Sequence, residues 1–191
     1  NVLNYALDLK YNHQIHTIVN ECNASVAVGN LSFDIAVAEI YPFLLSGKPV
    51  VLADEEEVFD AGKLASKIED TLKEEEQAQQ IQQTQSELLA SIIFCEAGNQ
   101  SFTGQVAVGA VVLNRMANEA YPDTMEEVIY QPGQFCPAGS GWLDRVRSTD
   151  GYTESAMQAA EAALAGENPI GDCLYFDQGG YGYQIGAHYF H

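Results

Sequence analysis

One glutamate of the sequence lies where its chemistry would be changed by its neighbours. Glu96 follows the apolar run Ile92–Cys95, and Gly98 is typical of the position just past a helix end. A carboxyl in the last turn of a helix meets the negative end of the helix dipole, and here it also meets an apolar surface. Both effects disfavour ionisation, so the sequence predicts a raised pKa for Glu96.

A carboxylic acid that stays protonated near neutral pH suits the cleavage of a glycosidic bond, because the leaving oxygen must receive a proton. No second carboxylate stands beside Glu96 in the sequence, although Asp123, Glu126 and Asp144 are candidates to approach it in space. On the pattern alone, an exposed glutamate at a helix end is the commoner interpretation.

The elements that would position Glu96 are mainly helical. A first helix is predicted from Ser86, as its N-cap, to the residues before Gly98, and a second over the apolar run GQVAVGAVVLNRMANEA. A capping box of Thr124 and Glu127 opens a third helix, ending near Tyr130, and a fourth covers residues 153–164. The tail, CLYFDQ to GYQIGAHYF, alternates aromatic and apolar residues like a hairpin. This half is therefore predicted to be α+β.

The residues before Ser86 have a different character. Residues 65–85 are rich in Glu, Lys and Gln and contain no Gly or Pro, which predicts a polar helical linker. Its apolar residues are too sparse to favour a coiled coil, which is the alternative interpretation. Before it, a strand over residues 25–28, a helix over 34–45, a turn at 47–49 and a strand over 50–52 form a β-α-β pattern.

The composition bounds the possible functions of this 191-residue chain. Hydrophobic residues make up 47% of it, so it can build a core, and 8 Lys and Arg against 27 Asp and Glu give a net charge of −19. So acidic a surface repels phosphates and anionic lipids, which argues against nucleic-acid and charge-driven membrane binding. We find no run of ~20 apolar residues that would span a bilayer, and the first residues do not resemble a signal peptide.

The cysteines and histidines give weak signals. Cys22, Cys95, Cys136 and Cys173 show no CxxC pairing, which favours free or buried thiols over a single bridge among the last three. His13 and His16 are a weak metal motif without a Cys or acidic partner in register. We therefore expect no metal and no organic cofactor.

Four ordered blocks carry a resemblance to a known family. They are LLASIIFCEAGNQSFTGQVAVGAVVLNRM, YPDTMEEVIYQPGQFCP, AALAGENPIGDCLYF and QIGAHYF. Residues 86–191 thereby resemble the SleB-like (spore cortex-lytic) cell wall hydrolases, which cleave glycan strands, usually as lytic transglycosylases, with a lysozyme-like fold. The resemblance implies that the catalytic residue is Glu96, in a motif EAxxxxxxGQ that closes at Gly104 and Gln105. Family members often carry acidic residues where this chain has Gln100 and Thr103.

The resemblance also implies which residues hold the sugar. Aromatic faces and polar side chains usually grip sugar rings, and the expected substrate-binding residues are Gln105, Tyr130, Gln134, Phe135, Tyr175 and His188. Each has a structural alternative: Phe135 and Phe176 also suit a core, His188 suits a structural hydrogen bond, and Trp142 suits a loop cap.

The first 70 residues have a separate resemblance. The run NLSFDIAVAEIYPFLLSGKPVVLADEEE resembles a fragment of the amino-acid adenylation (AMP-binding) domain of peptide synthetases. That family holds the substrate amino group with the aspartate that corresponds to Asp34. The phosphate loop, adenine-binding motif and C-terminal lysine are missing, so the fragment is expected to be noncatalytic.

Together these patterns predict three parts: an adenylation-like α/β segment over residues 1–65, a helical linker over 66–85, and a hydrolase domain over 86–191. The expected function is peptidoglycan cleavage by a lytic transglycosylase or muramidase mechanism with one glutamate, at the cell wall, outside the cell or in the spore. The alternatives are a noncatalytic glycan-binding module and a remnant of an adenylating enzyme.

Overall fold

The computed structural model describes residues 25–27, 40, 42–52 and 61–191. The chain divides into two compact units, Asn1–Gln80 and Ile81–His191. The predictions that concern His13, His16, Cys22 and Asp34 lie outside the described residues.

In the first unit, strand β1 (Ser25–Ala27) pairs in parallel with strand β2 (Val50–Leu52). Residues 42–44 are helical, and the turn after them contains Gly47 at φ +67°. Two parallel neighbours need a crossover between them, which agrees with the predicted β-α-β order. The predicted helix over 34–45 lies only partly within the described residues.

Helix α1 spans Ala61–Ala97, which is longer than predicted. The boundary between the two units falls inside it. Ser86 was predicted to cap a helix beginning there, but that prediction is wrong, since the helix passes through Ser86 without a break. The physical reason is that the preceding Glu, Lys and Gln residues are good helix formers with no Gly or Pro to stop them.

The core of the second unit is helical. Helix α2 (Phe102–Met116) begins at the N-cap Ser101 and is almost entirely buried between the end of α1 and helix α6 (Glu154–Leu164). Gly109 lets these helices approach closely, because a Cβ there would lie 3.0 Å from Ile93 Cδ1 and 3.1 Å from Ala163 Cβ. The same packing therefore fixes the direction of the last turns of α1.

Three short helices complete the helical part. Helix α3 (Met125–Tyr130) has the predicted capping box, in which Thr124 accepts a hydrogen bond from the Glu127 backbone. Helix α6 ends at Leu164 as predicted and begins one residue after the predicted start, because Thr153 is its N-cap and accepts a hydrogen bond from the Ala156 backbone. Helices α4 (Cys136–Gly139) and α5 (Trp142–Ser148) were not predicted.

The tail forms a three-stranded antiparallel sheet in the order β3 (Phe176–Asp177), β5 (His188–Phe190), β4 (Tyr183–Ile185). The predicted hairpin of CLYFDQ with GYQIGAHYF is only partly right: β3 does pair with the second segment, through β5, but the tight turn joins β4 to β5 and contains Gly186 at φ +62°. Phe190 joins the helical core from the central strand. The unit thus has the α+β fold that was predicted.

Candidate active site

Glu96 lies in the last turn of α1, as the sequence predicted. Buried Ile92 and Ile93 precede it, and the chain turns away at Gly98, where a Cβ would lie only 2.6 Å from the Phe94 carbonyl oxygen. Burial raises the pKa of the Glu96 carboxyl above its usual value. The carboxyl therefore stays protonated to higher pH than an exposed glutamate.

Two open depressions border Glu96, and we call them the larger and the smaller lobe of one cleft. The larger lobe has a volume of about 420 Å³ and the smaller about 240 Å³. Glu96, Gln178 and His188 line both lobes. The larger lobe is completed by Phe94, Cys95, Gly98, Asn99, Gln100, Trp142 and Ala187. The smaller lobe is completed by Arg115, Gln134, Cys136, Phe176 and Asp177.

The thiol next to the carboxyl is poorly suited to nucleophilic attack. Burial and the charge of neighbouring Glu96 raise the pKa of Cys95 to about 11. Since the thiolate is the nucleophilic form, Cys95 is almost entirely unreactive near neutral pH. Cys95, Cys136 and Cys173 are all free thiols, as the sequence favoured.

His188 is brought to the cleft, where the resemblance placed it. Only 5% of the residue is exposed, and its ring packs 5.1 Å from the ring of Phe176, between centroids. Burial lowers the pKa of His188, so the imidazole is neutral near neutral pH. Its Nδ1 atom is buried without a hydrogen-bond partner among the described residues.

Gln100 joins the loop after Glu96 to the turn before His188. Its Oε1 accepts a hydrogen bond from the Ala187 backbone at 3.0 Å. Gly186 is needed at this point, because a Cβ there would lie 2.4 Å from the same oxygen. This contact fixes the two chain segments that carry the cleft's ionisable groups.

Two of the expected sugar-binding residues are internal supports. Gln105 is buried, and its amide contacts the Gln100 carbonyl oxygen at 3.4 Å and the Ser155 hydroxyl at 2.8 Å. Phe135 is also buried, with its ring 6.2 Å from that of Phe176. Gln134, by contrast, lines the smaller lobe.

The two expected tyrosines are engaged elsewhere. Tyr130 donates a hydrogen bond to Asp144, and Arg147 reaches the same hydroxyl at 3.4 Å. Tyr175 is 45% exposed, accepts a hydrogen bond from the Tyr121 hydroxyl at 2.6 Å, and stacks on the ring of His191. The cleft linings given above include neither tyrosine.

Several cleft residues could not be recognised in the sequence patterns. Arg115, Asp177 and Gln178 had no expected role, and Trp142 suited only a loop cap. Arg115 carried a usable signal, since it is the only charged residue of helix α2. Asp177 also replaces the carboxylates expected near Glu96: Asp144 bonds Tyr130, and Glu126 lies 3.7 Å from Arg147.

Residues 99–190 match the family model Hydrolase_2, described as Cell Wall Hydrolase. The match covers most of the second unit, and Glu96 lies three residues before it. It confirms the resemblance to cell wall hydrolases that the sequence blocks suggested.

Curated proteins that resemble the chain are also cell wall lytic enzymes by name. The chain is 34% identical over 96 residues to a spore cortex-lytic enzyme of Oceanobacillus iheyensis, which is 49% of this chain and 32% of that protein. It is 32% identical over 89 residues to the spore cortex-lytic enzyme of Bacillus subtilis, which is 47% of this chain and 28% of that protein. The chain thus spans about a third of the length of the curated relatives that it matches.

A solved structure confirms the fold. The catalytic domain of the Bacillus cereus SleB protein superimposes with a TM-score of 0.50 at 28% identity, over 56% of this chain and 89% of that domain. The second unit therefore has the fold of this class of catalytic domain. No helix in the described ranges has the length and apolarity to cross a membrane.

Proposed function

We propose that the second unit cleaves the glycan strands of peptidoglycan, with Glu96 as the group that gives and takes the proton. The observation that carries this proposal is the position of Glu96: it is partly buried, its pKa is raised, and it borders both lobes of an open cleft. In a sugar chain that occupies both lobes, the glycosidic oxygen between two neighbouring sugars would lie beside the Glu96 carboxyl.

The chemistry needs one carboxyl group. Protonated Glu96 gives its proton to the glycosidic oxygen as the bond from that oxygen to C1 breaks. The resulting carboxylate then takes a proton from the C6 hydroxyl of the same muramic acid residue, whose oxygen bonds to C1. If a water molecule attacks instead, the product has a reducing end rather than a 1,6-anhydro end.

The neighbours of Glu96 have separate roles in this proposal. Gln134 and His188 offer polar groups to the sugar, and neutral His188 adds no positive charge that would ionise Glu96 early. Trp142, 41% exposed in the larger lobe, offers an aromatic face for a sugar ring. Gln105 and Phe135 support the cleft from inside.

A second carboxylate allows a hydrolytic variant of the mechanism. Asp177 lines the smaller lobe, and its Oδ1 accepts a hydrogen bond from the Gly179 backbone at 2.6 Å. Two carboxyl groups that flank the scissile bond are the arrangement of glycosidases that use a pair of Asp or Glu residues. This observation favours a muramidase as the alternative product chemistry.

Mass spectrometry of digested peptidoglycan tests the proposal. Purified protein should release fragments with 1,6-anhydro ends, and Asp177→Asn should leave that yield within a few-fold. Reducing ends that disappear in Asp177→Asn would support the two-carboxylate alternative. If the strands stay intact after incubation while the folded protein still pellets with the sacculus, the result would support a noncatalytic binding module instead.

The relatives' names suggest the place of action. They are spore cortex-lytic enzymes, and we propose that this unit acts on cortex or cell wall peptidoglycan.

The proposed division is a noncatalytic segment over residues 1–65, a linker over 66–85 and the hydrolase domain. The described β1–β2 pair is too small a part of an adenylation domain to hold its chemistry. We expect no amino-acid-dependent exchange of pyrophosphate into ATP.

A further inference from the structure

Arg115 is a buried cation without a counter-ion. Only 3% of the residue is exposed, although it lines the smaller lobe of the cleft. The second unit contains three Lys or Arg residues, and the other two, Arg145 and Arg147, lie on helix α5. Among the described residues, no carboxylate forms an ion pair with Arg115. Buried charges in proteins are normally paired, so this one requires an explanation.

The fold holds the guanidinium firmly but leaves part of it unsatisfied. Its Nε donates a hydrogen bond to the Leu174 carbonyl oxygen at 2.7 Å. The rings of Phe135, Tyr175 and Tyr121 lie 5.1 to 5.4 Å from Cζ. Aromatic rings stabilise the charge, but they do not replace the acceptor oxygens that the in-plane N–H groups need. Nη1 is buried and has no hydrogen-bond partner in the part of the chain that the structure describes.

We infer that Arg115 binds a carboxylate of the substrate in the smaller lobe. A carboxylate supplies both the charge and the acceptor oxygens that the fold withholds, and arginine binds carboxylates in a defined plane. Gln134 lines the same lobe and offers an amide donor beside it. The inference depends on the proposed function, because it names the substrate group that the same cleft recognises.

The other acidic groups of the lobe leave room for a carboxylate. The Glu96 carboxyl resists ionisation because it is buried. Asp177 is exposed, and its Oδ1 accepts a hydrogen bond from the Gly179 backbone. Among the residues that line the lobe, Arg115 is the one that carries a positive charge, because His188 is neutral.

Two parts of peptidoglycan carry carboxylates. One is the lactyl group of muramic acid, which is a free acid where no stem peptide is attached, and the other is the stem peptide itself. Each would reach the lobe as a carboxylate next to a sugar whose glycosidic oxygen faces Glu96. The test therefore separates the two sources.

Binding is measured with the full chain carrying Glu96→Gln, so that strands are not cleaved. Trp142 is the only tryptophan and lines the larger lobe, so its fluorescence reports binding directly. The probes are peptide-free glycan strands with free lactyl carboxylates, the same strands with these groups converted to primary amides, and strands that keep their stem peptides.

We expect the amidated strands to bind about 10- to 100-fold more weakly than the best carboxylate-bearing strands, as for a hydrogen bond to a charged group. If the peptide-free strands bind most tightly, the lactyl carboxylate is the group that Arg115 binds. If the strands that keep their stem peptides bind most tightly, the group is a carboxylate of the stem peptide. Arg115→Gln should abolish the difference between strands, and Arg115→Lys should keep part of it. Arg145→Gln removes the same charge outside the lobe and should change nothing.

Equal binding of carboxylate and amide strands would overturn the inference while leaving the proposed function intact. A difference that survives Arg115→Gln would overturn it as well. If Arg115→Gln does not fold, the inference is decided by comparing the binding of carboxylate-bearing and amidated strands to the Glu96→Gln chain, which keeps Arg115. Failure to bind any strand would count against both the inference and the proposed function.

Discussion

Two clusters of ionisable side chains in the second unit differ in how their charges are satisfied. In the cleft, Glu96 has its pKa raised by burial alone, and His188 has an unpartnered Nδ1. In the other cluster, Tyr130 bonds Asp144, and Arg147 lies close to Tyr130 and to a carboxylate. The fold thus buries Glu96 and His188 without charged partners, whereas Tyr130, Asp144 and Arg147 are paired with one another close to solvent. Perturbed, unpaired groups in a cleft are the better candidates for catalysis.

The largest expected effect is on the Glu96 carboxyl. Glu96→Gln keeps the shape of the side chain but cannot carry the proton, and general acid–base catalysis typically contributes about 10²- to 10⁴-fold. We expect the rate of peptidoglycan cleavage to fall by at least about that factor, as measured by release of soluble fragments.

Asp144→Asn is the matched control for that variant, because it makes the same chemical change in the paired cluster. Its amide oxygen can still accept the hydrogen bond from Tyr130, so the cleavage rate should stay within a few-fold. Near-normal cleavage by folded Glu96→Gln, or a large loss in Asp144→Asn, would reverse the roles that we give the two clusters.

The second prediction concerns the packing that orients the last turns of α1. Gly109→Ala would push a methyl group against Ile93 and Ala163, at 3.0 and 3.1 Å. Overpacking typically costs about 1–3 kcal/mol, and the better helix propensity of alanine returns up to about 1 kcal/mol. With the full gain of about 1 kcal/mol subtracted, we expect a net loss of up to about 2 kcal/mol in the free energy of unfolding, measured in urea.

Gly139→Ala is the control for Gly109→Ala, because a Cβ at Gly139 meets no atom within 4 Å. It should leave the free energy of unfolding unchanged or slightly raised. Equal effects of the two substitutions would mean that the α1–α2 contact is looser than described, and the cleft cluster would lose its rigid support.

The features predictable from sequence were the local ones. The capping box at Thr124 and the raised pKa of Glu96 each depend on residues within one or two helical turns. The start of α1 was misjudged, because Ser86 is a good N-cap type and only the absence of a helix stop before it argued otherwise.

The composition of the cleft could not be predicted from local patterns, because it is assembled across the chain. Arg115, Trp142 and Gln178 meet Glu96 only after α2, α5 and the loop after β3 have packed. Family resemblance correctly placed Gln134 and His188 there, but it does not show which partners a side chain acquires. Tyr130 and Tyr175 have the right chemistry for sugars, yet their hydroxyls are bound to Asp144 and Tyr121.

The third prediction concerns the pH dependence of stability. At low pH the Glu96 carboxyl is protonated in both the folded and the unfolded chain and has no effect. As the pH rises, the unfolded chain releases the proton first, because burial raises the folded-state pKa, and the free energy of unfolding falls through that window. Glu96→Gln cannot ionise, so its stability relative to the unchanged protein should increase with pH.

Urea unfolding from pH 4 to 8 measures this difference. A parallel pH dependence in the unchanged protein and Glu96→Gln would mean that the Glu96 carboxyl is well solvated, and the distinction between the clusters would weaken.

The smallest expected effect is that of Tyr130→Phe. This change removes the hydrogen bond to Asp144 and the contact with Arg147, and it leaves the ring in place. A hydrogen bond in so exposed a setting contributes on the order of 0.5–1.5 kcal/mol, and water can satisfy both partners after the change. We expect a loss of at most about 1 kcal/mol in the free energy of unfolding and a cleavage rate within two- to three-fold. A ten-fold loss of cleavage with unchanged stability would show that Tyr130 contacts the sugar, as the family resemblance implied, and that the paired cluster extends the cleft.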